Sequence, residues 1–82
     1  MIKVAMIGAG SIGFTRRLMM DMLAVEELRD VEFRFMDISE QNLEMVTKLC
    51  HKLLADSGLE EQVTIGPTTN QREAIAGADY VI

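Results

Sequence analysis

The stretch that decides the fold is the N-terminal segment, in which a short apolar run, Lys3–Ile7 (K-V-A-M-I), leads directly into Gly8–Gly13 (G-A-G-S-I-G). An amphipathic helix pattern follows, from about Ser11 to Val25. The order of strand, glycine turn and helix is the context in which G-x-G-x-x-G indicates a dinucleotide-binding turn. We therefore predict that this turn binds a pyrophosphate. The alternative is a glycine turn without a ligand, lying between a buried strand and a helix.

Each position of the turn has a physical role. Gly8 allows the chain to turn sharply off the strand, Gly10 lets a pyrophosphate approach the backbone, and Gly13 lets the helix pack closely on the strand. Free N–H groups at the start of the helix, on Ser11, Ile12 and Gly13, would then face the pyrophosphate with the positive end of the helix dipole behind them.

A second signal lies at the end of the second strand. Val31–Met36 alternates apolar and polar residues, which predicts a strand near the edge of the sheet, and Asp37 follows it, 24 residues after Gly13. An acidic residue at this place accepts hydrogen bonds from the adenosine ribose, and its charge favours NAD over NADP. Because Ser39 is the better N-cap for the next helix, Asp37 is predicted to be free for this role. The alternative is an Asp that only begins the turn.

The second helix is predicted over Glu40–Asp56, with Gly58 as the left-handed residue after its end. Cys50 lies on the buried stripe of this helix, and nothing near it suggests an activated thiol, so we interpret it as a core residue. His51 has no partner at metal-ligand spacing and is predicted to be a solvated surface residue.

Three shorter elements complete the pattern. Val63–Ile65 is predicted as a strand that Gly66-Pro67 breaks, a short helix with Asn70 as its N-cap runs through Ala76, and a fourth strand begins at Ala78. The order β-α-β-α-β-α-β predicts an α/β fold, the first half of a Rossmann-like doubly wound parallel sheet. Because the last strand has no turn or cap after it, we expect residues 1–82 to be the N-terminal part of an NAD-binding domain. The rest of that domain and the catalytic domain would lie outside this chain.

The composition excludes several classes of protein. The 82 residues are 49% hydrophobic and 26% charged, with a net charge of −5, which argues against a nucleic-acid or anionic-membrane surface. No apolar run approaches membrane-spanning length, and the N-terminal apolar segment is too short for a signal peptide. One cysteine cannot form an internal disulfide, so we expect a cytoplasmic protein.

The motifs of this chain resemble the N-terminus of glycoside hydrolase family 4. The members of that family are the NAD- and manganese-dependent α-galactosidases, α-glucosidases and α-galacturonidases. The most specific part is the run G-A-G-S-x-x-F-x-x-x-L-x-x-D from Gly8 to Asp21, and Met36-Asp37-Ile38 and Ala78–Ile82 extend it. Lactate and malate dehydrogenases share the glycine turn but typically lack the Ser and Phe of that run. One departure is Ser39, where the family often has a second acid.

The resemblance implies hydrolysis of small-molecule α-glycosides by transient oxidation at the sugar C3, deprotonation at C2 and elimination of the aglycone. NAD would take and return the hydride, and Mn²⁺ would stabilise the enediolate. The metal ligands and the catalytic base would lie in later segments, so none is assigned here. Arg16 and Arg17 are weaker candidates for the substrate or phosphate region, and we expect the full-length protein to be a homo-oligomer. The resemblance implies that the cofactor is bound by Gly8, Gly10, Ser11, Ile12, Gly13 and Asp37.

Three alternatives stay open at this point. A 2-hydroxy-acid dehydrogenase of the lactate or malate type has the same turn but performs net redox chemistry. A non-catalytic nucleotide-sensing module would bind NAD and turn over no glycoside. A Rossmann-like domain with an empty turn would bind no nucleotide at all.

Overall fold

A four-stranded parallel sheet forms the centre of the molecule. The computed structural model describes residues 1–82, and its strands have the order β3-β2-β1-β4. The strands are β1 (Ile2–Ile7), β2 (Val31–Met36), β3 (Val63–Thr68) and β4 (Tyr80–Val81). The helices are α1 (Ile12–Leu23), α2 (Glu40–Asp56) and α3 (Gln71–Ile75), with a 3-10 turn at Glu26–Leu28. This is the predicted Rossmann-like α/β fold.

The main core lies on the face of the sheet that α1 and α2 cover. Strands β1 and β2 pair in register from Ile2 opposite Val31 to Ile7 opposite Met36, so that alternate residues of both strands point to the same face. Phe33 and Phe35 are fully buried there, with ring centroids 6.2 Å apart. Burying such a side chain contributes roughly 1.5–3 kcal/mol, so these rings account for a large share of the core.

The opposite face of the sheet carries only a small apolar cluster. Ala74 of α3 packs there against Ala5 and Met36. The two residues of β4, Tyr80 and Val81, stay exposed because no other element of the chain covers them.

The helix ends follow the predicted caps. The Ser39 hydroxyl accepts a hydrogen bond from the N–H of Asn42 at 3.2 Å, and the Asn70 side chain accepts one from the N–H of Glu73 at 3.2 Å. Gly58 has φ +70° after the end of α2, the left-handed conformation that its position predicts. The predicted bounds of α2 are confirmed, and α1 is a few residues shorter than predicted.

The predicted bounds of β3 and β4 need correction, and β4 begins at Tyr80, two residues later than predicted. Strand β3 continues through Gly66 and Pro67 to Thr68, since both residues pair with β2. Proline lacks a backbone N–H. It is tolerated here because β3 is an edge strand, where the missing N–H need not interrupt the hydrogen bonds between strands. Strand β2 lies next to the edge strand β3, as its alternating pattern predicts, and its polar residues Glu32 and Arg34 form an ion pair at 2.8 Å on the thinly covered face.

Candidate functional site

The glycine turn and the end of β2 meet at the carboxyl edge of the sheet. Gly8 has φ +78°, a conformation that glycine adopts without strain. The N–H groups of Gly8 and Ala9 both donate to the carbonyl oxygen of Met36, each at 2.8 Å. The turn therefore lies against the last residue of β2, beside the place where the strand order reverses between β1 and β4. In open α/β sheets, this switch point is where ligands bind.

A buried threonine fixes the turn from the side of α1. Thr15 is 1% exposed, and its hydroxyl donates to the carbonyl oxygen of Ala9 at 2.8 Å. Thr15 is not among the site residues predicted from the sequence. The available signal was a hydroxyl on the buried face of α1, which must find a hydrogen-bond partner.

The first turn of α1 has free backbone donors. The N–H of Ser11 donates to the carbonyl oxygen of Gly8 at 3.2 Å, whereas those of Ile12, Gly13 and Phe14 have no partner within the chain. The Ser11 side chain makes no capping hydrogen bond, in contrast to Ser39 of α2 and Asn70 of α3. The prediction of free N–H groups is thus confirmed for Ile12 and Gly13 and is wrong for Ser11.

Ser39 caps α2 as predicted, and the carboxylate of Asp37 makes two hydrogen bonds within the chain. Its Oδ2 accepts a hydrogen bond from the N–H of Gly10 at 2.8 Å, and its Oδ1 accepts one from the N–H of Ser39 at 2.9 Å. A carboxylate has about four acceptor sites, so two of them remain for further donors such as ribose hydroxyls. The expected role and the observed contacts are therefore compatible.

The structure also changes the explanation of why glycine occupies two positions of the turn. A Cβ atom at Gly10 would lie 2.6 Å from Asp37 Oδ2 and 2.9 Å from the Cβ of Asn42, so residue 10 must be glycine even without a ligand. A Cβ at Gly13 would meet nothing within 4 Å. The expectation that Gly13 permits close packing of the helix on the strand is therefore wrong within this chain.

The two arginines of α1 are exposed and lie on different sides of the helix. Arg16 lies near Cys50 of α2, whereas Arg17 lines a shallow surface depression with Phe14, Leu18 and Asp21. Neither arginine forms an ion pair within the chain. The proposed phosphate or substrate role of both therefore stays a prediction.

Cys50 and His51 occupy the places that the sequence indicates. Cys50 is fully buried in the main core, and this burial raises the pKa of its thiol to about 11, although the charge of Arg16 acts in the opposite direction. His51 is exposed on the outer side of α2. No three His, Cys, Asp or Glu side chains come together in a group that could hold a metal ion. None of the helices combines the length and the apolar character needed to cross a membrane.

A parallel sheet with a glycine turn and an acid at the ends of adjacent strands defines a Rossmann-like domain. Residues 3–82 match the model of family 4 glycosyl hydrolases, so the chain belongs to that family. The family match confirms the resemblance. The chain therefore does not belong to the family of the lactate and malate dehydrogenases.

Two relatives illustrate the match. The chain is 49% identical over 80 residues to an alpha-galactosidase of Rhizobium meliloti (strain 1021), covering 98% of the chain and 16% of that protein. It also resembles the structure of the 6-phospho-beta glucosidase from Thermotoga maritima, with a TM-score of 0.80 and 26% identity, over 98% of the chain and 18% of that structure. The chain thus spans about a sixth of the length of these relatives.

Proposed function

We propose that residues 1–82 bind the NAD of an α-glycosidase that also needs a divalent metal. The observation that carries this proposal is the meeting of three free N–H groups at the start of α1 with an acidic side chain at the end of β2. A helix N-terminus with free N–H groups can bind a diphosphate, and a carboxylate with unused acceptor sites can accept hydrogen bonds from ribose hydroxyls. These donors and acceptors fit the two polar parts of an adenine dinucleotide.

Some residues of the turn would bind the cofactor, and others would fix the shape of the turn. The N–H groups of Ile12, Gly13 and Phe14 would donate to the pyrophosphate, and the uncommitted Ser11 hydroxyl is a further donor. Gly8 and Gly10 would shape the turn rather than donate, because their N–H groups already have protein acceptors. Asp37 would accept from the ribose, and its charge would repel the 2′-phosphate of NADP.

Bound NAD supplies a reversible hydride acceptor for the sugar C3. In the proposed reaction, oxidation at C3 would make the C2 proton acidic, and its removal would allow the aglycone to be eliminated. Water would then add to the resulting double bond, and the hydride would finally return to C3. Mn²⁺ and the base that removes the C2 proton would be held by residues outside this chain. Residues 1–82 would contribute the orientation of the cofactor and the preference for NAD.

We propose an α-glycoside as the substrate because the relative with 49% identity is an alpha-galactosidase. The structural relative is a 6-phospho-beta glucosidase, so the two names differ in both sugar and linkage. A reaction that begins at C3 and C2 is compatible with both linkages, which supports the proposed chemistry over attack at C1. We propose a cytoplasmic homo-oligomer as the form in which the protein acts.

The deciding experiment is a glycosidase assay on the intact protein that carries this chain. p-Nitrophenyl α-galactoside, α-glucoside and α-galacturonide would be tested with and without NAD, Mn²⁺ and a reductant. We expect release of p-nitrophenol only when NAD and metal are both present. Release without NAD would contradict the proposed chemistry, and NAD binding without any release would favour the nucleotide-sensing module.

The ribose contact has its own test. Asp37→Ala should weaken NAD binding and reduce discrimination against NADP, because the variant loses both the acceptor and the repelling charge. Asp79→Ala is a matched control, since Asp79 also accepts a backbone N–H at 2.8 Å, from Lys3 at the other end of β1. Unchanged affinity of Asp37→Ala for both nucleotides would remove Asp37 from the binding site.

A further inference from the structure

The Asp37 carboxylate joins two parts of the chain that are distant in sequence. Its two oxygens accept hydrogen bonds from different backbone groups, Gly10 in the turn after β1 and Ser39 at the start of α2. Ser39 in turn caps α2 through its hydroxyl. The carboxylate therefore forms a direct link between the glycine turn and the N-terminus of α2.

Gly10 depends on this link more than its neighbours in the turn do. The N–H groups of Gly8 and Ala9 are held by the Met36 carbonyl, and that of Ser11 is held by Gly8. The N–H of Gly10 has Asp37 as its only partner. A hydrogen bond to an ionised carboxylate is about twice as strong as a neutral one, so this contact fixes the middle of the turn.

We infer that Asp37 is a positioning residue for the glycine turn as well as the proposed ribose acceptor. Its carboxylate holds Gly10 so that the free N–H groups at the start of α1 stay in a fixed orientation before any ligand arrives. The consequence for the cofactor, which rests on the function proposed above, is that Asp37 also supports binding of the pyrophosphate, a group that it does not contact. A carboxylate that acted only on the ribose would have no such effect.

The close packing at Gly10 supports this assignment. Both Asp37 Oδ2 and the Cβ of Asn42 lie less than 3.0 Å from the point that a Cβ atom at residue 10 would occupy. The absence of a side chain at residue 10 is thus what allows the carboxylate and the first turn of α2 to reach the turn. Gly10 and Asp37 are therefore packed and hydrogen-bonded to each other in the chain without a ligand.

The first test is native-state hydrogen exchange of residues 8–14 in the intact protein without nucleotide. In Asp37→Ala, the amide of Gly10 should exchange roughly tenfold faster or more, since a hydrogen bond to a charged group is lost. Asp37→Asn keeps one acceptor oxygen and should restore part of the protection. Asp79→Ala removes a backbone hydrogen bond of the same length elsewhere and should leave exchange in residues 8–14 unchanged. Unchanged exchange in both Asp37 variants would overturn the positioning role.

The second test separates positioning from ribose binding by calorimetric titration with inorganic pyrophosphate and with NAD. A positioning role predicts that Asp37→Ala loses affinity for both probes, with Asp37→Asn intermediate. A loss for NAD with unchanged pyrophosphate affinity would show that Asp37 acts on the ribose alone and would overturn the inference. If the wild-type protein binds neither probe, the proposed function fails, and the exchange measurement alone decides whether Asp37 holds the turn.

Discussion

Gly10 and Gly13 belong to one motif, yet their surroundings impose different constraints. A Cβ atom at Gly10 would lie less than 3.0 Å from the Asp37 carboxylate and from Asn42, whereas a Cβ at Gly13, in the first turn of α1, would meet only open space. Gly10→Ala should therefore destabilise the fold by about 1–3 kcal/mol through overpacking. Gly13→Ala should stabilise it by up to about 1 kcal/mol, because alanine is the better helix former. Urea unfolding of both variants checks this, and equal effects would contradict the contacts described.

This contrast affects how variants of the motif should be interpreted. Loss of NAD binding in a Gly10 variant would not by itself locate the pyrophosphate, since the same change displaces Asp37. Gly13→Ala is the cleaner probe, because it changes no contact within the chain.

The Cys50 thiol gives a prediction about pH. Burial raises its pKa from 9.0 to about 11, so the folded state keeps the proton over a range in which the unfolded state loses it. This contribution to stability is fully present below pH 9 and is lost as the pH rises to about 11, by roughly 2–3 kcal/mol in total. The loss between pH 9 and pH 11 should be smaller in Cys50→Ala than in the wild type when urea midpoints are measured across this range. Parallel curves for the two proteins would show that the thiol does not titrate differently on folding.

At the scale of secondary structure elements, periodicity and caps predicted most of the fold. The bounds of α2 follow from its apolar stripe, from Ser39 at its start and from Gly58 after its end, all of which are local signals. The length of β3 did not follow from the sequence, because Pro67 is acceptable only on the edge of a sheet, and the strand order is not encoded locally.

The candidate site was predicted in position but not in detail. The glycine turn and Asp37 come together because the carboxyl ends of adjacent parallel strands share one edge of the sheet. The contact between Asp37 and Gly10 joins residues 27 apart in sequence and depends on the register of β1 and β2, which no motif specifies. The Thr15 hydrogen bond to Ala9 is local, and its signal was a hydroxyl on the buried face of α1.

Helix α3 is attached to the sheet by Arg34 of β2. Its Nε donates to the Glu32 carboxylate, and its Nη1 lies within hydrogen-bonding distance of the carbonyl oxygens of Glu73, Ala74 and Ala76 at the end of α3. Arg34→Met keeps part of the apolar stem but removes these charge-assisted hydrogen bonds, and should lower the free energy of unfolding by about 1–3 kcal/mol. Hydrogen exchange should increase first in residues 71–76.

A matched control is Lys48→Met. Lys48 pairs with Glu44 at 3.0 Å on the exposed side of α2, and an exposed pair of this spacing contributes less than about 0.5 kcal/mol. Equal losses of stability in the two variants would mean that the contacts of Arg34 with α3 contribute no more than a surface ion pair does.

For the whole molecule, the uneven covering of the sheet has a physical consequence. Helices α1 and α2 shield one face, whereas β4 forms an open edge with apolar residues: Tyr80 is 61% exposed and Val81 is 57% exposed. An apolar edge strand whose outer side is unpaired offers a template for pairing with another chain. The 82-residue chain on its own should therefore self-associate with increasing concentration, despite its net charge of −5.

The edge can be tested by placing a charge on it. Val81→Lys should shift the 82-residue chain toward the monomer in analytical ultracentrifugation, because pairing at β4 would then bury a lysine. Met45→Lys introduces the same charge on the outer side of α2, at a residue that is 52% exposed, and controls for the change in net charge. If both variants dissociate the chain equally, the effect is one of overall charge. Dissociation by Val81→Lys alone would locate the association at β4, the edge at which a doubly wound sheet adds its next strand.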